Sequence, residues 1–204
     1  MKLILVRHGN TFAKGDKVVW VGARSDLPLV EKGKEQAQAV GEALKESGIT
    51  ADVIYCGPLK RTVQTAEVAL ATAGWNGVEM TVSDALREID YGLWEARSND
   101  DIRADYGDKD IDGWQQQSIW PDGYDWSPDP QTIISSWNAM MTEIEETFGE
   151  DATAVIVTSN GILRIVAPQF GIAASEAKVG TGSLCLVDNG VVKIWNAKSL
   201  SASE

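Results

Sequence analysis

The chain holds a single histidine, His8, which directly follows Arg7 at the end of the apolar run Leu3–Val6 and precedes Gly9. An imidazole nitrogen with a free lone pair can attack phosphorus and carry the phosphoryl group covalently. Two further apolar runs end in comparable turns. Val53–Cys56 meets Gly57-Pro58, with Arg61 just beyond, and Val155–Thr158 meets Ser159-Asn160-Gly161. In open α/β sheets, ligands bind beyond the carboxyl ends of the strands, where helix N-termini offer unpaired N–H groups and a positive dipole end. Two arginines converging on such a place suggest phosphate, because a guanidinium fork matches its oxygens in pairs. Taken singly, a lone histidine is more often a packed or surface residue, and an arginine more often a helix-end or salt-bridge partner. For the two arginines, placement at strand ends is what favours the chemical reading.

The elements that would position these groups alternate between strand and helix, the pattern of an α/β protein. Strands are expected at Lys2–Val6, Asp52–Cys56, weakly at Val78–Val82, at Ala154–Thr158, and at Leu184–Asp188 and Val191–Trp195. Asn189-Gly190 is a strong hairpin signal between the last two. Helices are expected at about 31–47, 59–73, from 131 onward with Ile134, Trp137, Met141, Ile144 and Phe148 on one face, and at 162–170. Residues from about 97 to 130 lack sustained periodicity and read as an insertion, lid or binding loop. No repeat or linker divides the chain, so residues 1–204 are expected to form one domain.

Composition narrows the partners. With 30 Asp and Glu against 18 Lys and Arg, the formal charge is -12, a poor surface for nucleic acid or for broad membrane adhesion. The opening apolar run is too short for a signal-peptide core or a membrane span. Cys56 and Cys185 both lie in strand-like runs and read as free, packed thiols of a reducing cytoplasm.

Four motifs in order resemble the histidine phosphatase superfamily in its phosphoglycerate-mutase-like branch. They are Arg7-His8-Gly9-Asn10-Thr11; Gly22-Ala23-Arg24-Ser25-Asp26-Leu27-Pro28-Leu29 leading into Glu31-Lys32-Gly33; Gly57-Pro58-Leu59-Lys60-Arg61-Thr62-Val63-Gln64-Thr65-Ala66; and Leu86-Arg87-Glu88 with Gly92-Leu93-Trp94-Glu95. The resemblance implies a three-layer sandwich, with a mixed, mostly parallel central sheet, helices on both faces and the insertion covering the site. It also implies a phosphohistidine mechanism without metal or cofactor. His8 would be the nucleophile, Arg7 and Arg61 the phosphoryl clamps, and Glu88 the acid that protonates the leaving oxygen and later activates water. Ser159, Asn160 and Lys14 are further candidate phosphate ligands.

The sequence departs from the family pattern where a second histidine is normally followed, five positions on, by an arginine. Counting back from Arg164 places Ser159 there. A serine hydroxyl can donate one hydrogen bond but carries no charge, and losing a preorganised oxyanion donor costs about 10²–10³ in rate. Its alternative role is a helix cap. Lys14 is a milder departure, standing where mutase-like members place a polar amide.

Two lesser signals fail on context. Asp108-Lys109-Asp110-Ile111-Asp112-Gly113 begins like a calcium loop, but Ile119 occupies the position that needs a bidentate Glu. Gly180-Thr181-Gly182 precedes a strand, the reverse of a dinucleotide fingerprint. Trp114, Trp120 and Trp126 read either as a wall over the substrate or as a cluster anchoring a long loop.

The expectation is therefore a cytoplasmic phosphoric-monoester hydrolase acting on a small phosphorylated metabolite, with a homodimer left open. Two alternatives stand beside it: a phosphoglycerate mutase-type phosphotransferase, and a phospholigand-binding homologue with weak or no catalysis.

Overall fold

Apolar side chains fill four successive positions of the first strand, so it must be covered on both faces, as the centre of a parallel sheet requires. The computed structural model, which describes residues 1–200, shows this arrangement. Strands β1 (Lys2–Arg7), β2 (Val53–Cys56), β3 (Glu79–Val82), β4 (Thr153–Thr158), β5 (Leu184–Asp188) and β6 (Val191–Ala197) form one sheet in the order β3-β2-β4-β1-β5-β6. The first four are parallel, while β5 runs antiparallel to β1 and β6 antiparallel to β5.

Alternation along β1 divides the core into two layers. Ile4 and Val6 pack with Val40 and Leu44 of helix α1 (Glu31–Glu46) and with Ala66 and Ala69 of α2 (Lys60–Ala73). Leu3 and Leu5 face the opposite way, toward Trp137, Met140 and Ile144 of α5 (Pro130–Phe148) and Ile162 and Leu163 of α6 (Asn160–Val166). The expected three-layer α/β sandwich is thus the observed fold. Register pairs Arg7 with Thr158 and Cys56 with Val157, so the carboxyl ends of β1, β4 and β2 lie side by side. The turns carrying His8, Ser159 and Gly57 consequently share one edge.

Three expectations are corrected. The 97–130 stretch is not irregular, because it contains α3 (Asn99–Tyr106) and α4 (Lys109–Gln117). A capping box starts α3, with the Ser98 hydroxyl accepting from the Asp101 amide and the Asp101 carboxylate accepting from Ser98. Only Ile102, Ile111 and Trp114 of these helices are buried, too few to create a visible period. In α5 the fully buried stripe is Ile133, Trp137, Met140 and Ile144, with Ile134, Met141 and Phe148 beside it and partly covered. The helix after Ser159 begins at Asn160 and gives way at Ala167 to a 3₁₀ turn, where Pro168 has no N–H to continue the ladder.

Both cysteines are buried free thiols. They lie on strands three places apart in the sheet, about 14 Å at ordinary spacing, well beyond disulfide reach. Burial raises both thiols, Cys56 to about 11 and Cys185 to about 12, so neither is a ready nucleophile. Among the described residues no helix is long and apolar enough to cross a membrane.

Candidate active site

A cavity of about 560 Å³ opens over the shared strand edge, and Arg7, His8, Arg61 and Glu88 all line it. His8 stands just beyond β1. Its Nδ1 lies 2.8 Å from the carbonyl oxygen of Gly9, which fixes the tautomer: Nδ1–H donates and Nε2 keeps its lone pair. Burial first, then the charges of Arg61 and Arg7, push the imidazole pKa well below 6.5, so the ring is neutral at ordinary pH. Gly9 is a glycine for steric reasons, since a Cβ there would collide with the backbone of Gly33 at the start of α1. The Gly9 N–H donates to Thr65 Oγ1 at 3.1 Å, which ties the turn to α2.

The arginines are held by loop carbonyls and not by carboxylates. Arg61, fully buried in the first turn of α2, donates through Nη1 to Ser25 O (2.7 Å) and through Nη2 to Val21 O (3.2 Å) and Gly22 O (3.1 Å). Glu95 fixes that loop from the other side, accepting from Gly22 N at 2.9 Å and Ser25 Oγ at 2.6 Å. Asp26 in turn receives the Lys60 amide at 2.7 Å and so caps α2. The Gly22–Leu29 motif therefore works as a cradle for Arg61. Arg7 donates through Nη1 to Val179 O at 2.6 Å, and the Val179 amide donates to Asn160 Oδ1 at 3.0 Å, so one backbone unit places both side chains. Gly182 adds its N–H to the carbonyls of Arg7 and His8, a structural role for the Gly180-Thr181-Gly182 segment. Among the described residues, the Nε–H groups of Arg7 and Arg61 are buried without a partner.

Glu88 is buried, with Oε1 accepting from its neighbour Ile89 (3.0 Å) and Oε2 from Gly161 at the start of α6 (3.2 Å). Burial raises its pKa against the opposing pull of Arg61, the two amides and Arg7. Tyr91 packs against the same carboxyl, which contributes, after burial, to pushing the phenol well above its usual value. No sequence pattern marked Tyr91 as a site residue. Gly161 makes this arrangement possible, because a Cβ there would overlap Glu88 Oε1 and crowd the Tyr91 hydroxyl. The atoms to be displaced are the ends of three side chains, those of Glu88, Ile89 and Tyr91, so Gly161→Ala should keep the backbone in place while dislodging the carboxyl. Turnover of an alkyl phosphate should fall by about 10² with little change in melting temperature, which steady-state kinetics and a thermal melt would check.

Sequence reasoning also missed the roof. Arg164, the arginine five residues after Ser159, reaches the end of α4. It donates through Nη1 to Trp114 O (2.8 Å) and Ser118 Oγ (2.7 Å) and through Nη2 to Gln115 O (3.0 Å), and it lies 5.3 Å from the Trp114 ring centre. A cation thus meets the carbonyls at a helix C-terminus, as the dipole favours, sharing the Trp114 oxygen with the Ser118 amide. Trp114, Gln115 and Arg164 all line the cavity. Arg164→Met should cost about 2 kcal/mol in chemical denaturation and raise KM more than it lowers kcat, because α4 loses its tether.

The tryptophans of the 97–130 segment form a packed cluster, and of the three only Trp114 reaches the cavity. Trp126 is the centre of an edge-to-face cluster with Tyr91, Trp94, Trp114 and Trp120, at centroid distances of 4.8–5.2 Å. Trp114 and Trp20 additionally face the cavity. The Asp108–Asp112 run is the start of α4, where Asp108 and Asp112 pair with Arg103 and Asp110 receives the Tyr124 hydroxyl at 2.8 Å.

Two of the candidate phosphate ligands are not on the cavity wall. Lys14 is exposed, in a tight turn closed by the Ala13 amide bonding to Asp16 Oδ2 at 2.7 Å, and it is Thr11, Phe12 and Ala13 that line the cavity. Ser159 is fully buried behind the wall. It occupies the N-cap position of α6 without making a capping bond, and its hydroxyl has no partner among the described residues. Asn160 does line the cavity.

Residues 3–188 match the model of the histidine phosphatase superfamily, branch 1. The chain belongs to this superfamily. Among curated relatives it is similar to 2,3-bisphosphoglycerate-dependent phosphoglycerate mutases. That of Thermobifida fusca is 36% identical over 63% of this chain and 49% of its own length, and that of Parvibaculum lavamentivorans 35% identical over 62% and 56%. The match therefore spans about half the length of these relatives. Solved histidine-phosphatase folds superpose along nearly the whole chain. A mycobacterial glucosyl-3-phosphoglycerate phosphatase gives a TM-score of 0.77 at 21% identity, covering 96% of this chain and 98% of its own. The α-ribazole phosphatase of Shigella flexneri gives 0.71 at 22% identity, with 100% of each chain covered.

Proposed function

We propose that the chain is a phosphoric-monoester hydrolase working through a phosphohistidine, with arginines supplying the positive charge. The observation that carries this reading is the pairing of His8 and Glu88 in one cavity. Their environments drive a base toward its neutral form and an acid toward its protonated form. In the first step His8 Nε2 attacks phosphorus as the bond to the leaving oxygen breaks, and the Glu88 carboxyl transfers its proton to that oxygen. In the second, water attacks the phosphohistidine, the Glu88 carboxylate accepts its proton, and inorganic phosphate leaves with the imidazole restored. Arg7 and Arg61, both on the cavity wall, suit the equatorial oxygens in both transition states.

Hydrolysis is favoured over mutase chemistry by how the cations are distributed. A mutase must hold a bisphosphorylated intermediate at both ends. Beyond Arg7 and Arg61 the cavity walls offer Arg164, which is engaged by α4, and Lys178. The substrate class is a small monophosphate, and the buried free thiols accord with a reducing, cytoplasmic setting. The test supplies 3-phosphoglycerate, with and without 2,3-bisphosphoglycerate, alongside an aryl phosphate. Release of inorganic phosphate supports hydrolysis, whereas conversion to the 2-isomer without net release identifies a mutase.

A further inference from the structure

The wall around His8 lacks a donor at one position and gains one at the next. Ser159, where the superfamily pattern has a histidine, is fully buried and does not line the cavity. Asn160 does line it, together with Arg7, His8, Arg61 and Glu88. Its side chain has one orientation. A backbone N–H can only donate, so the atom 3.0 Å from the Val179 amide is the carbonyl oxygen Oδ1, which turns Nδ2 away from Val179. That N–H₂ group makes no hydrogen bond among the described residues, and it is not one of the buried polar atoms sealed from solvent.

Two neighbours set where the group sits. The Val179 carbonyl accepts Arg7 Nη1 at 2.6 Å, so Arg7 and Asn160 are fastened to the backbone of one residue. Gly161, next along the chain, donates its amide to Glu88 Oε2 at 3.2 Å. Asn160 thus joins the residue that holds Arg7 to the residue that holds the carboxyl. The segment carrying Val179 is itself braced, with Gly180 N donating to Asn196 Oδ1 at 2.7 Å and Gly182 N to the carbonyls of Arg7 and His8. A donor fixed in this way needs no reorganisation when charge develops near it.

We infer that Asn160 is a catalytic residue, its Nδ2 amide serving as a third donor to the transferring phosphoryl group in place of the missing histidine. The inference rests on the proposed hydrolase reading and deepens it. Arg7 and Arg61 already match the two negative charges of a phosphate dianion, so the third contact requires direction and not further charge.

Asn160→Asp separates this role from a purely structural one, because Asp keeps an oxygen for the Val179 amide and loses the N–H₂ donor. Asn160→Leu loses both but adds no charge. In each variant kcat for phenyl phosphate should fall about 10²-fold, with a smaller change in KM. Near-wild-type turnover in Asn160→Asp overturns the inference and leaves Asn160 as a support for Val179. A second readout follows the amide itself by nuclear magnetic resonance in isotopically labelled protein. The Asn160 Nδ2 signal, assigned by its absence from Asn160→Asp, should move when inorganic phosphate is added and stay in place with sodium chloride of equal ionic strength. A signal that phosphate does not move overturns the inference, even where the new carboxylate of Asn160→Asp lowers turnover by repulsion. A wild type that hydrolyses no ester overturns the hydrolase reading instead, and the amide signal then decides the contact to phosphate by itself.

Discussion

His8→Ala should lower kcat for an aryl phosphate by about 10⁴-fold or more while inorganic phosphate still binds. The imidazole is the chain's only one, and its Nδ1–H is committed to the Gly9 carbonyl, leaving Nε2 as the nitrogen free to attack in the proposed mechanism. No nearby side chain is placed to replace it. Ser159 is buried behind the cavity wall and both cysteines are raised far above neutral pH. Phosphate binding should survive because the proposed mechanism assigns it to Arg7 and Arg61, whose positions come from backbone carbonyls and not from His8. The comparison also separates an enzyme from a binding homologue. The latter would show no turnover in wild type and unchanged phosphoester affinity in the variant.

Glu88→Gln should reduce kcat for an alkyl phosphate by about 10²–10⁴-fold, and less for a nitrophenyl ester, whose leaving oxygen needs little protonation. The pH profile provides an independent readout. Because the active form needs His8 neutral, activity rises as pH climbs through the imidazole's pKa, which lies well below 6.5. Because it also needs Glu88 protonated, activity falls as pH passes the carboxyl's pKa, which burial raises above the ordinary 4.5. The basic limb should therefore disappear in Glu88→Gln, while the acid limb stays. A basic limb that persists unchanged in the variant would assign the proton to another group.

The strand-end turns were legible because their signals are local. Four apolar residues predict a strand buried on both faces, and Arg7, His8 and Arg61 converge because three parallel strands end level with one another, whereas Glu88 was marked only by the resemblance to the superfamily. The roof was not legible. Helix α3 begins with a capping box and α4 buries only Ile111 and Trp114, so neither shows the period by which a helix is read. Arg164 was visible as a landmark five residues beyond Ser159, but its partners are backbone carbonyls about 50 residues earlier in the chain. Tyr91, Asn99 and Gln115 reach the cavity through tertiary packing alone. Lys14 shows the opposite error, because one tight turn around Gly15 suffices to send a plausible phosphate ligand into solvent while its neighbours keep the wall.

The phosphohistidine proposed at His8 can be trapped directly. The protein would be mixed with a phosphate ester on the millisecond scale, quenched in base, digested and mapped by mass spectrometry. A phosphoryl group should appear on His8 that is stable in base, is lost in acid, and forms and decays as fast as turnover. Sustained phosphate release with His8 unmodified, or with the phosphoryl group on a hydroxyl, would contradict it.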